Sequence, residues 1–211
     1  MIARPAESGA HEKDRIDSLS TAEKPRLLIV IASTRPGRKG KPIGDWVYDE
    51  AVKDGHFDVE VADLMELALP MMDEPNHPRQ KKYIHEHTKA WSAQVEAADA
   101  FVFVTPEYNH SFNAPLKNAI DYLSQEWAHK PVGFVSYGGV AGGARSIIAL
   151  RPIVSQLKMV PIPEAVTMVG FTQYFDEQGA FHSTVQLERN ASTMFIELAK
   201  WTAALSSMRE S

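Results

Sequence analysis

The 211-residue chain contains no cysteine. Disulfides, thiolate nucleophiles, thiolate zinc sites and iron–sulfur clusters are therefore excluded, and any redox chemistry must rest on an organic cofactor or a non-thiolate metal. Positive charge is not in excess: 22 Lys and Arg stand against 27 Asp and Glu, a formal net charge of −5. A general nucleic-acid binder needs a basic face to neutralise phosphates, so no nucleic-acid partner is expected. No apolar run approaches the ~20 residues of a membrane span, and no membrane partner is expected either. The opening stretch MIARPAESGAHEKDRIDSLSTAEKPR lacks the apolar segment of a secretory leader. Residues 1–25 read as a mobile N-terminal extension, residues 26–211 as one domain, and the cytoplasm as the default location. There is no GxSxG elbow for a serine hydrolase and no HExxH spacing for zinc. His85 and His87 stand two apart, which does not put them on one helix face, and no metal site is expected.

What is present alternates in type. LLIVIAS (Leu27–Ser33) and AFVFVTP (Ala100–Pro106) are continuous apolar runs, the pattern of central parallel strands buried on both faces. FDVEVADL (Phe57–Leu64) alternates and reads as a strand nearer the sheet edge, while PVGFVSYG (Pro131–Gly138) and Met159–Val169 supply two more. Helical patterns run between them: Pro42–Lys53, Gln80–Ala98, a helix opening at Pro115, Ser146–Lys158, and a long final helix from Leu187. Leu116, Ala119, Ile120 and Leu123 form the core-facing stripe of the third of these, and Lys117 and Asp121 read as surface residues or a local pair. Strands alternating with helices predict a three-layer, doubly wound α/β fold with a five-stranded parallel sheet in the order 2-1-3-4-5. Ligands of such sheets bind beyond the carboxyl ends of the strands, so the loops after strands one, three and four should carry the chemistry.

The first of these loops is Ser33-Thr34-Arg35-Pro36-Gly37-Arg38-Lys39-Gly40-Lys41, running into a helix. Hydroxyls, flexible glycines and cations ahead of a helix N-terminus suit a terminal monophosphate. The loop is neither GxxxxGK[ST] nor GxGxxG, so neither a nucleoside triphosphate nor a dinucleotide is indicated. A basic turn of this kind also serves as a plain solvated connection, and Lys39 and Lys41 individually read as solvated cations. The third-strand loop, TPEYNHSFNAP, has a stiffening proline, two aromatic residues and short hydrogen-bonding side chains, as the wall of a flat flavin ring requires. The fourth-strand loop packs four glycines into GGVAGG, which suggests close backbone approach to a ligand or a flexible connection.

The segment PEYNHSFNAPLKNAIDYLS resembles the signature of the NADPH-dependent FMN reductase family, and STRPGRKG and SYGGVAGGARS resemble its other two cofactor loops. The resemblance spans residues from about 26 to 170. It implies a flavodoxin-like fold that binds FMN, takes hydride from NADPH or NADH, and passes electrons to a small acceptor such as a flavin, quinone, azo compound or metal oxyanion. It also implies a homodimer or homotetramer, for which Trp91, Trp127, Tyr174 and Phe175 are candidate interface residues, ordinary core being the alternative for each. By position, Ser33, Arg35 and Arg38 should hold the phosphate. Pro106, Glu107, Tyr108 and Asn109 should line the ring and ribityl chain, largely through backbone groups. Ser136, Gly138 and Gly139 should approach the pyrimidine edge, with Gly142 shaping that loop. Many relatives have a serine where this chain has Gly40 and Lys41, so Lys41 is only a candidate for the last phosphate contact. No catalytic acid or base is expected, because the chemistry belongs to the flavin. The alternative is a flavodoxin-like FMN carrier without its own nicotinamide site; the arginine in the first loop and the mild charge favour the reductase.

Overall fold

A computed structural model of the chain describes residues 24–209; all but two residues of the expected N-terminal extension lie outside the described residues. Five strands form one sheet: β1 (Arg26–Ile31), β2 (Asp58–Asp63), β3 (Ala100–Pro106), β4 (Pro131–Gly138) and β5 (Val160–Val169). All pairings are parallel, and the order is β2-β1-β3-β4-β5, as the alternation of strands and helices predicts. The connecting helices are α1 (Gly40–Asp54), the single turn α2 (Leu64–Leu67), α3 (Glu86–Ala97), α4 (Ala114–Asp121), α5 (Ala144–Gln156) and α6 (Val185–Arg209). Among the described residues no helix is long and apolar enough to cross a membrane.

The unbroken apolar runs of β1 and β3 follow from burial on two sides. Leu28 and Val30 join Phe101 and Phe103 beneath α3, α4 and α5. Leu27 and Ile29 join Val102 and Val104 beneath α1 and α6. Leu27–Ile31 and Ala100–Val104 are thus apolar whichever way they point. Trp91 and Trp127, for which interface and core were both open, are core. Both are 1% exposed, and their indole N–H groups donate to the carbonyls of Ala119 (2.9 Å) and Ile120 (3.2 Å). Tyr174 and Phe175 likewise pack on the α1–α6 side, against Phe181.

One expected helix begins late. The pattern from Gln80 to Ala98 becomes a 3₁₀ turn at Pro78–Gln80, a left-handed Lys81 (φ 50°) and an irregular stretch before α3 starts at Glu86. The Glu74 carboxylate takes the N–H groups of Ile84 (2.9 Å) and His85 (3.1 Å) from across the loop, which satisfies the start of α3 only at that point.

Glu126 is a buried charge that periodicity gave no reason to expect. It is 1% exposed, and its carboxylate accepts from Tyr83 Oη (2.8 Å), Ser92 Oγ (2.8 Å) and Ser124 N (3.1 Å). Burial alone would raise its pKa, but these donors outweigh it and hold the group below the ordinary glutamate value of 4.5. A depressed carboxylate contributes stability above that value and loses it as pH falls through the lower folded value. Glu126→Gln should therefore be less stable than wild type at pH 7, by ~1–3 kcal/mol. The difference should shrink below pH 4.5, as urea midpoints across that range will show.

Candidate functional site

The loops after β1, β3 and β4 come together at the carboxyl edge of the sheet. In the first, Arg35-Pro36-Gly37-Arg38 makes a tight turn closed by Arg38 N–H on the Arg35 carbonyl (3.0 Å). Proline in the second position and Gly37 at φ 69° in the third are what such a turn demands. Ser33 is buried, whereas Arg35 is exposed and forms no ion pair among the described residues. The helix that follows starts at Gly40 without a side-chain cap, so its first N–H groups keep their positive end open to an anion.

Two cations of this loop already have carboxylate partners within the protein. The Arg38 guanidinium forks onto the Asp63 carboxylate at the end of β2 (2.5 and 2.6 Å) and also donates to the Ser33 carbonyl (2.8 Å). Both partners are nearly buried, with side-chain exposures of 10% and 3%. The hydrogen bond to Asp63 raises the Arg38 pKa against the opposing effect of burial, so this cation is permanently charged. Arg38 therefore shapes the loop from behind. Lys41 sits on the outer side of α1 and pairs with Asp45 one turn on. Lys39 lies 4.6 Å from the centre of the Phe175 ring rather than in open solvent.

The third-strand loop is a tight hairpin. Tyr108 and Ser111 exchange both backbone hydrogen bonds (2.8 and 3.0 Å), with Asn109 at φ 50° and His110 at φ 67° between them. Positive φ at both central residues matches the twist of a two-residue hairpin turn, and asparagine tolerates it well. Pro106 is buried at the strand end, and Tyr108, Asn109 and His110 are presented outward. Glu107 turns the other way: its carboxylate takes Arg145 Nη1 (2.8 Å) and the Arg145 N–H (3.2 Å). This ties the third loop to the start of α5.

The glycines of the fourth loop divide by role. Gly142 (φ 59°) and Gly143 (φ 87°) face the end of β5 and Ser136 so closely that a Cβ would stand 2.9 Å from Val169 or 2.6 Å from Ser136. Ser136 spends its buried hydroxyl on the Gly142 carbonyl (3.0 Å), so it shapes the loop rather than facing a ligand. A Cβ on Gly138 would meet Gly143 N and Glu107 Cβ at 3.0 and 3.2 Å. Gly139 is different: nothing lies within 4 Å of its Cβ position, and the adjoining Val140 is 90% exposed.

Three residues that motif reading did not single out complete the site. Asp63 receives Arg38. Asn113 is buried and donates from Nδ2 to the Ala32 carbonyl (2.5 Å), linking the third loop to the first. Tyr137, on β4, brings a buried hydroxyl against Gly40 and Ser33. None of the three carries a local sequence signal; each earns its role from a partner at least 25 residues away or on another strand. On the far side of the first loop a cleft of about 320 Å³ is lined by Thr34, Met65, Leu69, Met71 and Pro115, among others. His85 and His87 stack face to face with ring centres 5.1 Å apart, because His85 precedes α3 and is free of helix geometry. His87 also reaches the Asp73 carboxylate (3.1 Å). That carboxylate accepts from Tyr122 as well (2.8 Å), and burial together with this bond pushes the Tyr122 phenol up to about 12.

The sequence profile of the family described as NADPH-dependent FMN reductase matches residues 25–173. An NAD(P)H-dependent FMN reductase of Schizosaccharomyces pombe is 39% identical over 170 residues, covering 79% of this chain and 83% of its own. An NADPH:quinone oxidoreductase of Arabidopsis thaliana is 40% identical over 108 residues, covering 48% of this chain and 55% of its own. Among solved structures, the flavoenzyme NAD(P)H:(acceptor) oxidoreductase FerB of Paracoccus denitrificans superposes with a TM-score of 0.65 at 19% identity, over 85% of this chain and 98% of that one.

The two arginines of the first loop should separate experimentally. Arg35→Ala should weaken FMN binding about 10- to 100-fold, the range of one charge-assisted contact, and leave the melting temperature of the flavin-free protein unchanged. Arg38→Ala should lower that melting temperature by several degrees, because it leaves Asp63 buried without its cation.

Proposed function

The chain belongs to the NADPH-dependent FMN reductase family, and from that premise we propose how its own residues hold FMN and what the enzyme reduces. The chain is an oxidoreductase with FMN as cofactor and NAD(P)H as electron source. The observation that carries the residue assignment is that the three loops are fixed by buried bonds while a few groups remain open at their tips. The uncapped start of α1 and the buried Tyr137 hydroxyl beside it, together with an Arg35 that has no ion pair among the described residues, fit a terminal phosphate. The bare backbone at Gly139 and the outward hairpin of Tyr108 and Asn109 fit a flat ring that needs close approach on one side and aromatic surface on the other.

When bound, FMN supplies the hydride acceptor and the electron donor, so the protein need only orient and shield. Ser33, Thr34 and Arg35, with the N–H groups of Gly40 and Lys41, hold the phosphate. Arg38 keeps the loop in shape through Asp63. Pro106, Tyr108 and Asn109 form one wall, and Gly138 and Gly139 offer backbone to the other, with Gly142 and Ser136 bracing them. Glu107 is committed to Arg145 and is not a free base, which fits a reaction without a protonic residue. The acceptor is a small molecule of the quinone, flavin or azo type, and the apolar cleft beside Thr34 and Met71 suits a planar one. We place the enzyme in the cytoplasm and as a homo-oligomer; the exposed Met65, Met71 and Met72 beside that cleft support a covered face.

The protein reconstituted with FMN should lose its yellow colour when NADPH or NADH is added without oxygen, and regain it with a quinone. Flavin that is retained but bleached by neither nucleotide would identify a carrier instead. Flavin that is not retained would overturn the site.

A further inference from the structure

The described residues contain four buried side-chain polar atoms without a hydrogen-bond partner: Trp46 Nε1, Thr88 Oγ1, Asn113 Oδ1 and Tyr137 Oη. The last of these stands at the junction of the first loop and α1. Tyr137 is on β4, two strands from β1, and its side chain points to the α1–α6 side of the sheet. The ring is 4% exposed and rests against Phe171, with centroids 5.4 Å apart, so its reach is fixed. Its hydroxyl lies 2.5 Å from the point where a Cβ on Gly40 would stand, and Ser33 Cβ lies 3.1 Å from that point. No side chain fits at position 40 while Tyr137 is there. The tyrosine hydroxyl occupies the room that such a side chain would take, at the first residue of an uncapped helix.

We infer that Tyr137 is a phosphate-binding residue of this enzyme, its hydroxyl delivered from β4 to the start of α1 in place of a side chain at position 40. The assignment rests on the FMN reading above and adds to it a ligand from a strand whose loop serves the other end of the cofactor. Three facts converge on it. A buried hydroxyl needs an acceptor, and among the described residues none meets it at hydrogen-bonding geometry, the Ser33 hydroxyl being its polar neighbour. The positive end of α1 draws an anion to that place, and the Arg38 charge acts at the Tyr137 hydroxyl as well. Burial pushes the phenol above the ordinary tyrosine range, only partly offset by the Ser33 hydroxyl and the Arg38 charge, so the group stays protonated and able to donate. The coupling of Gly40 with Tyr137 also explains why a glycine is required at a helix start where its φ is unremarkable.

Tyr137→Phe tests the assignment by affinity rather than turnover. FMN should bind about 10- to 100-fold more weakly, the range of one hydrogen bond to a charged oxygen. Riboflavin, which has the ring and no phosphate, should bind as it does to the wild type. The flavin-free variant should melt no lower than wild type, because the lost hydroxyl makes no hydrogen bond of good geometry among the described residues. A merely structural tyrosine would give the opposite pattern: a lower melting temperature and equal losses for FMN and riboflavin. That result, or unchanged FMN affinity, overturns the assignment while leaving the FMN reading intact. Failure of the wild type to bind FMN would sink both. A second variant pair keeps the test independent of that one phenylalanine. Gly40→Ser alone should fold poorly against the Tyr137 hydroxyl, whereas Gly40→Ser with Tyr137→Phe should fold and recover FMN affinity. A double variant no better than Tyr137→Phe alone, with normal stability, also counts against the assignment.

Discussion

A parallel sheet covered on both faces has only its ends to offer a ligand. The strands of this protein are paired to neighbours along their length and sealed by helices above and below. Their carboxyl ends are where the chain must leave the sheet, turn and enter a helix whose first N–H groups have no partner. Every feature of the candidate site follows from that constraint. The start of α1 and the loops after β3 and β4 meet at this edge because β1 pairs with β3 and β3 with β4.

The loops at this edge are held by bonds that run between them rather than within them. Arg38 ties the first loop to β2, Asn113 ties the third to the first, and Arg145 ties the fourth to the third through Glu107. Ser136 and the left-handed glycines fix the fourth loop to its own strand and to β5. A site whose polar groups are pre-positioned pays little ordering cost when the cofactor arrives. The same bonds decide which charges are available. Of the cations in the first loop, Arg38 and Lys41 are neutralised by Asp63 and Asp45, Lys39 lies on an aromatic ring, and Arg35 is the one left exposed without an ion pair among the described residues.

Much of this was legible in the chain itself. Continuous apolar runs marked β1 and β3 because both faces of these strands are buried, and strand–helix alternation pointed to a parallel sheet whose order, taken as the natural choice, the structure shows. The turn at Arg35–Arg38 was legible as a glycine-containing turn, whereas the hairpin at Tyr108–Ser111, with Asn109 and His110 at positive φ, was read only as a loop. Where reading failed, the cause was distance. The helix expected from Gln80 starts at Glu86 because a carboxylate from Glu74 caps it, and the stacked His85 and His87 escape a helix-face rule that covers only residues inside the helix.

The sequence by itself determined the fold class, the three loops and the kind of ligand they suit, since these depend on local backbone preference and on the periodicity of burial. Tertiary structure alone decided which members of those loops face a cofactor and which hold the others in place. Arg35 and Arg38 are three residues apart and chemically identical, yet one is exposed without an ion pair among the described residues and the other is buried on Asp63. Tyr137 reads as an ordinary strand residue until the sheet carries it across to Gly40. Such assignments turn on partners 25 or more residues away, and no local preference encodes where a side chain's distant partner will be.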